Sequence, residues 1–155
     1  MSTLGLGLID ADAMVTAALA RGEEIGKAFS IAVVDAGGFP LVVKRVDGAR
    51  PLTPSIAMSK AYTAAVMQRP ANMLKGWAES NPGFFGTLSN HGAWPIVATD
   101  GGVTVQKDGE ILGGLGVSGG TPAEDQQICD EVLTELGYDL AFAAWGKPAG
   151  TDSRG

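Results

Sequence analysis

The 155-residue sequence predicts an α+β domain in three layers, a five-stranded antiparallel sheet flanked by helices. Three observations predict it. Two pairs of short β-branched runs are joined by turn residues, Ala36-Gly37-Gly38 and Lys107-Asp108-Gly109, and so read as hairpins. Segments of helical periodicity precede, separate and follow these pairs. Strands that follow one another through tight turns pair antiparallel, and helices spread along the chain can cover both faces.

The first helix runs from Asp10 to about Ile25. Met14, Val15, Ala18 and Leu19 recur at helical spacing, Gly26 sits where a glycine ends a helix, and Asp10 or Asp12 suits the positive end of the dipole. Ser30–Asp35 and Phe39–Val46 are the first two strands, with Pro40 placing the start of the second at an edge or at its first residues. Thr53-Pro54 opens the second helix, Thr as N-cap and Pro at the first helical position, and Arg69-Pro70 breaks it. Ala71–Glu79 reads as a short helix with Met73, Leu74 and Trp77 inward, and Ser80–Gly92 as the longest irregular stretch. Pro95–Ala98 is the third strand; Val103–Gln106 and Glu110–Val117 flank the Asp-Gly turn. Thr121-Pro122-Ala123-Glu124 is a capping box that opens a last helix, carrying Ile128, Val132, Leu133 and Leu136 inward and ended by Gly137. Residues 1–155 read as one domain, with a segment at 141–145 that packs somewhere and a loose tail over 146–155.

The hydrophobic fraction is 45% against 18% charged, which leaves few charges to cover a surface and predicts a homo-oligomer. A net charge of −6 argues against nucleic acid and anionic membranes as partners. No apolar run approaches the roughly 20 residues of a membrane helix. The N-terminus lacks the features of a signal peptide, and the single cysteine, Cys129, excludes an internal disulfide. A cytoplasmic protein is expected.

Candidate site residues cluster around Trp94–Asp125 and the loop before it. Gly119-Gly120-Thr121 lead from a strand into a helix start, where free amides and the helix dipole suit an anion; a plain strand-to-helix corner is the simpler reading. Gly113 and Gly114 lie inside a strand, where glycine implies close approach of a ligand or another backbone, or a bulge. Gly101 and Gly102 form a turn after Asp100. His91, the one histidine, lies among Phe84, Phe85 and Trp94. It has no neighbours at metal-site spacing, which leaves an axial haem ligand, a general base, or a loop histidine bonded to a carbonyl. Lys60 is either a snorkelling surface lysine or an anchor for a ligand carboxylate.

Ile31–Gly38, Arg45–Ala49, Ser55–Ala65 and the block D-G-E-I-L-G-G-L-G-V-S-G-G-T-P-A-E-D-Q at Asp108–Gln126 together resemble the GlcG/HbpS family, which includes the C-terminal domain of PduO-type proteins. The resemblance implies a profilin-like fold and assembly into dimers or larger rings. It also implies a small-ligand protein, since some members bind haem or a corrinoid and others accompany catabolic genes. Two departures stand out: Thr99-Asp100 replaces a common phenylalanine-proline pair, and the first helix lacks the histidine that ligates haem in some relatives. His91 is then the remaining axial ligand for haem, the possible cofactor. Two functions follow: a ligand-binding protein with an apolar slot formed by Phe84, Phe85, Trp94 and the strand glycines, or a cofactor-free hydrolase, lyase or isomerase. In the second, His91 and Asp100 transfer protons and Lys60 or the Gly119–Thr121 amides hold an anionic metabolite.

Overall fold

The computed structural model describes residues 4–140; the expectations for 141–155 lie outside the described residues. The elements are α1 (Leu8–Ile25), β1 (Ser30–Asp35), β2 (Pro40–Arg45), α2 (Thr53–Val66), a 3₁₀ turn (Ala71–Leu74), α3 (Lys75–Ser80), α4 (Pro82–Thr87), a second 3₁₀ turn (Leu88–Asn90), β3 (Gly102–Lys107), β4 (Glu110–Ser118) and α5 (Pro122–Leu136). The sheet has the order β2-β1-β4-β3, and each neighbouring pair is antiparallel. Besides the two hairpins, β1 pairs with β4 from Ser30↔Ser118 to Asp35↔Gly113.

The sheet has four strands among the described residues, and the expected third strand at Pro95–Ala98 is corrected. That segment finds its hydrogen bonds elsewhere. Ala93 N–H donates to the Tyr62 hydroxyl at 3.1 Å, Ile96 N–H to Ser89 Oγ at 2.9 Å and Val97 N–H to Thr63 Oγ1 at 3.0 Å. Pro95 has no N–H to give. Side chains of α2 and the second 3₁₀ turn thus satisfy backbone that a ladder would otherwise pair. Ser80–Gly92 is likewise more regular than expected, since it holds α4 and the second 3₁₀ turn. Asn81-Pro82 opens α4, but Gly83 and Gly86 hide it from any propensity reading.

Both sheet faces are covered, so β1 is buried along its whole length and reads as a continuous apolar run. On one face Ile31, Val33, Val103, Val105, Leu115 and Val117 meet Met14, Val15 and Ala18 of α1 and Ile128, Val132 and Leu133 of α5. Arg21 ties these two helices together, reaching Glu131 at 3.1 Å and Glu135 at 2.7 Å. On the other face Ala32 and Val34 meet Ala57, Met58, Ala61, Tyr62 and Ala65 of α2.

This second face is paved with small residues. A Cβ at Gly114 would collide with the Ala61 carbonyl oxygen, and one at Gly116 with that of Ala57. Helix α2 therefore lies on β4 backbone against backbone, and the alanines of Ser55–Ala65 are its half of the fit.

The end signals also have physical causes. Asp10 Oδ2 accepts from Gly7 N–H at 3.0 Å at the start of α1, which begins at Leu8, slightly before the expected Asp10. Thr121 Oγ1 accepts from Glu124 N–H at 3.2 Å while Glu124 Oε1 accepts from Thr121 N–H at 2.8 Å, closing the expected capping box. Thr53 is not the N-cap of α2 but its first helical residue; its hydroxyl donates to Arg50 O at 2.7 Å and lies 2.8 Å from Ser30 Oγ.

Candidate functional site

The Gly119–Thr121 corner comes first because its glycines invite an anion. Its amides are engaged by the protein's own carboxylates: Gly120 N–H donates to Asp125 Oδ1 at 2.9 Å, and Thr121 N–H to Glu124. Asp125 is itself buried, and its other oxygen meets Lys60 Nζ at 3.1 Å. Lys60 also donates to Val117 O at 2.9 Å. Lys60 therefore neither snorkels nor faces a ligand. It is a buried ammonium, 5% exposed, shared between a strand end and α5. A buried charge demands such pairing and hydrogen bonding. The turn at Gly101-Gly102 fits the same tie, since a Cβ at Gly101 would press on Lys60 Nζ and Asp125. A groove of about 420 Å³ lies outside this corner, lined by Lys27, Arg50 and Gly119–Thr121, and Lys27 is bound there to Glu124 at 2.6 Å.

Asp100 immediately precedes that turn. Asn72 Nδ2 donates to Asp100 Oδ1 at 3.1 Å and Lys75 Nζ to Oδ2 at 3.1 Å. Burial acts to raise its carboxyl, but the Asn72 amide and the Lys75 ammonium outweigh this and hold it below the ordinary carboxylate range. Gln126 continues the network: its Oε1 accepts from Gly101 N–H at 2.9 Å and its Nε2 donates to Asp130 Oδ1 at 3.1 Å. Asp130 is displaced the other way. Burial pushes its carboxyl up, the Gln126 hydrogen bond opposes this, and Asp100 and Glu131 add to the rise. A cavity of about 230 Å³ opens between this network and the apolar residues of β3 and α5. Asn72, Gln126 and Asp130 were not foreseen. The signal available was Asp100 alone, because their convergence depends on the long-range packing of α5 against the 71–74 turn.

No hydrogen bond or ion pair joins His91 to Asp100 among the described residues, so the proposed proton-transfer pair gains no geometric support. His91 follows the second 3₁₀ turn, with its N–H donating to Leu88 O at 3.1 Å. The residue is exposed, and its imidazole has no partner among the described residues. The aromatic residues are brought together only in part. Trp77 meets Phe84 with ring centroids 5.8 Å apart and Phe85 at 5.5 Å, edge on. Phe85 is buried and Phe84 is 50% exposed. Trp94 lies apart from this trio, against the α2-side core. Gly113 backs onto Val34 and Leu6. With Gly114 and Gly116 taken by α2, the strand glycines are explained by packing without any ligand.

These features define a class: a helix-covered antiparallel sheet domain whose loops, rather than its sheet, carry its exposed functional groups. A model of the family described as haem-degrading protein HbpS-like matches residues 6–134, and the chain belongs to that family. Protein GlcG of Escherichia coli K12 is 35% identical over 115 residues, 68% of this chain and 78% of the relative. The corrinoid adenosyltransferase PduO of Citrobacter freundii is 30% identical over 123 residues, 79% of this chain and 36% of the relative. The chain thus spans little more than a third of PduO. Among solved structures, that of a PduOC–haem complex superposes with a TM-score of 0.78 at 27% identity, covering 87% of this chain and 97% of the other. HbpS of Streptomyces reticuli, solved as a double mutant, superposes with a TM-score of 0.75 at 30% identity, covering 88% and 90%.

Proposed function

We propose that this protein binds a small planar ligand of the haem type on the excursion between α2 and β3, without turnover of its own. The observation that carries the proposal is the exposed imidazole of His91, without a partner among the described residues, on the same excursion as the half-exposed Phe84 and its ring partner Trp77. Aromatic faces suit the stacking of an extended ring system, and a histidine nitrogen can ligate a metal that it carries. The donor chemistry fits: His91 would supply a nitrogen ligand, and Phe84 with Trp77 the apolar contact. Haem, when bound, supplies an iron centre; the chain's own residues hold and orient it. The haem complex of the structurally similar PduOC protein supports the choice of ligand class. The missing histidine in α1 points to a mode of attachment particular to this chain.

Haemin titration tests this. A sharp, shifted Soret band is expected, saturating at a fixed ratio of haem to chain and strongly weakened in His91→Ala. An unchanged haemin spectrum would refute haem binding, and undiminished binding by His91→Ala would remove His91 as the ligand. A homo-oligomer in solution belongs to the same proposal, because exposed Phe84, Phe39 and Val43 are apolar surface that a second copy would cover.

A further inference from the structure

The cavity between the 71–74 turn, β3 and α5 has no part in the haem reading. It holds about 230 Å³, below the range of roughly 300–1,000 Å³ typical of drug-sized ligand pockets, so its occupant is small. Met73, Val103 and Leu133 make one wall apolar, and Asn72, Gln126 and Asp130 make another polar. The polar wall can be counted group by group. Gln126 Nε2 donates to Asp130 Oδ1. Asn72 Nδ2 donates to Asp100 Oδ1 at 3.1 Å and is 3.5 Å from Gln126 Oε1. The amide donors of Asn72 and Gln126 are thus turned onto Asp100, Asp130 and Gln126 Oε1; of the other polar lining residues, Thr104 donates its hydroxyl to Ala64 O at 2.8 Å and Gln106 has a partner of its own. Among the described residues, Asp130 Oδ2 and Asn72 Oδ1 receive no hydrogen bond. Both are acceptors, and one belongs to a carboxylate. Among the described residues no lysine or arginine lines the cavity, and Lys75 is bound to Asp100.

We propose that this cavity binds a small primary alkylammonium compound, its N–H groups donated to Asp130 Oδ2 and Asn72 Oδ1 and its short alkyl body against Met73, Val103 and Leu133. An ammonium brings three donors and a positive charge to a wall that offers acceptors and a negative charge. A carboxylate of the same size would present acceptor to acceptor. An alcohol would fill a hydrogen bond but leave the Asp130 charge unmatched in partly dehydrated surroundings. The charges facing Asp130 favour a cation as well: Asp100 lies across the network, and Glu131 lies on its own helix with Arg21 of α1 already engaged by Glu131 and Glu135.

The test compares three probes of one shape, propylammonium, propionate and 1-propanol, on the full chain without haem. Side-chain amide and methyl NMR signals of Asn72, Val103 and Leu133 report the site. Propylammonium should give saturable shifts in the millimolar range, and the other two should not. Asp130→Asn should weaken propylammonium binding about tenfold or more, the loss expected when a charge-assisted hydrogen bond is removed. Glu24→Gln, an exposed change of the same charge on α1, should keep it within about twofold. Equal response to all three probes, no saturable response to propylammonium, or undiminished binding by a folded Asp130→Asn would each overturn the proposal. If Asp130→Asn disturbs the fold, the head-group comparison on the unaltered chain decides. Because no haem is present, this outcome is independent of the haemin titration.

Discussion

At the scale of single residues, the buried pair Lys60–Asp125 is the most consequential contact and the least visible in the sequence. Lys60 sits among Ala, Met and Ile, a context equally consistent with a snorkelling side chain, and its partner is 65 positions away. Removing one partner should leave a stranded charge: Lys60→Met is expected to destabilise by about 3–5 kcal/mol. Replacing both, Lys60→Met with Asp125→Leu, should recover part of the loss in urea unfolding. A double variant no more stable than Lys60→Met would show that Asp125 acts chiefly through its hold on Gly120. Gly116→Ala puts a methyl into the Ala57 carbonyl and should cost about 1–3 kcal/mol, read from the same curves. Cys129 is fully buried with its Sγ donating to Gly101 O at 3.4 Å. Burial pushes its thiol far up, although Lys60 opposes this. Native protein should therefore resist thiol reagents, and labelling should follow unfolding.

At the scale of elements, the signals written in local chemistry were legible and those made by tertiary contact were not. The Thr121 capping box, the Gly26 and Gly137 helix ends and the Asp-Gly hairpin all depend on a few adjacent residues, and all are found where expected. Thr121→Ala should lower stability by about 1 kcal/mol. The expected strand at Pro95–Ala98 failed because Tyr62, Thr63 and Ser89 capture its backbone, a competition that apolar content cannot reveal. The candidate site was legible only in outline. Asp100 could be singled out, but its partners Asn72 and Lys75 come from the 71–74 turn and α3, and the neighbouring Gln126–Asp130 pair from α5.

These elements also set a pH dependence. Asp100 is held low, so its stabilisation is present above the ordinary carboxylate pKa and is lost as pH falls through its folded value. Asp130 is held high, so its ionisation destabilises above its folded value, and that penalty disappears as pH falls through it. At neutral pH Asp100→Asn should thus be less stable than the parent and Asp130→Asn more stable. Both differences should close in acid. Urea midpoints measured from pH 7 to pH 3 would check the signs.

At the scale of the whole molecule, the three-layer α+β arrangement was legible because turn chemistry set the hairpins and helical periodicity set the cover. The strand count was not. Function is distributed in the same way. The described helices include none long and apolar enough to cross a membrane, and the described residues hold no group of His, Cys, Asp or Glu suited to a metal ion. The groups on which the two proposals rest lie on the α2–β3 excursion and beside α5. If the exposed aromatic arm is an assembly surface as well as a ligand surface, haemin should change the sedimentation coefficient of the protein, and Phe84→Ser should remove the change.

The seam between α2 and β4 carries a last consequence. Side-chain layers tolerate drift, since a lost methyl on one side can be made up on the other. The seam at Ala57, Ala61, Gly114 and Gly116 has no such slack, because main chain touches main chain. Divergence of this protein is therefore channelled. Its α1–α5 side can be redesigned piecemeal, its loops can acquire new ligands, and the α2 side must be inherited whole.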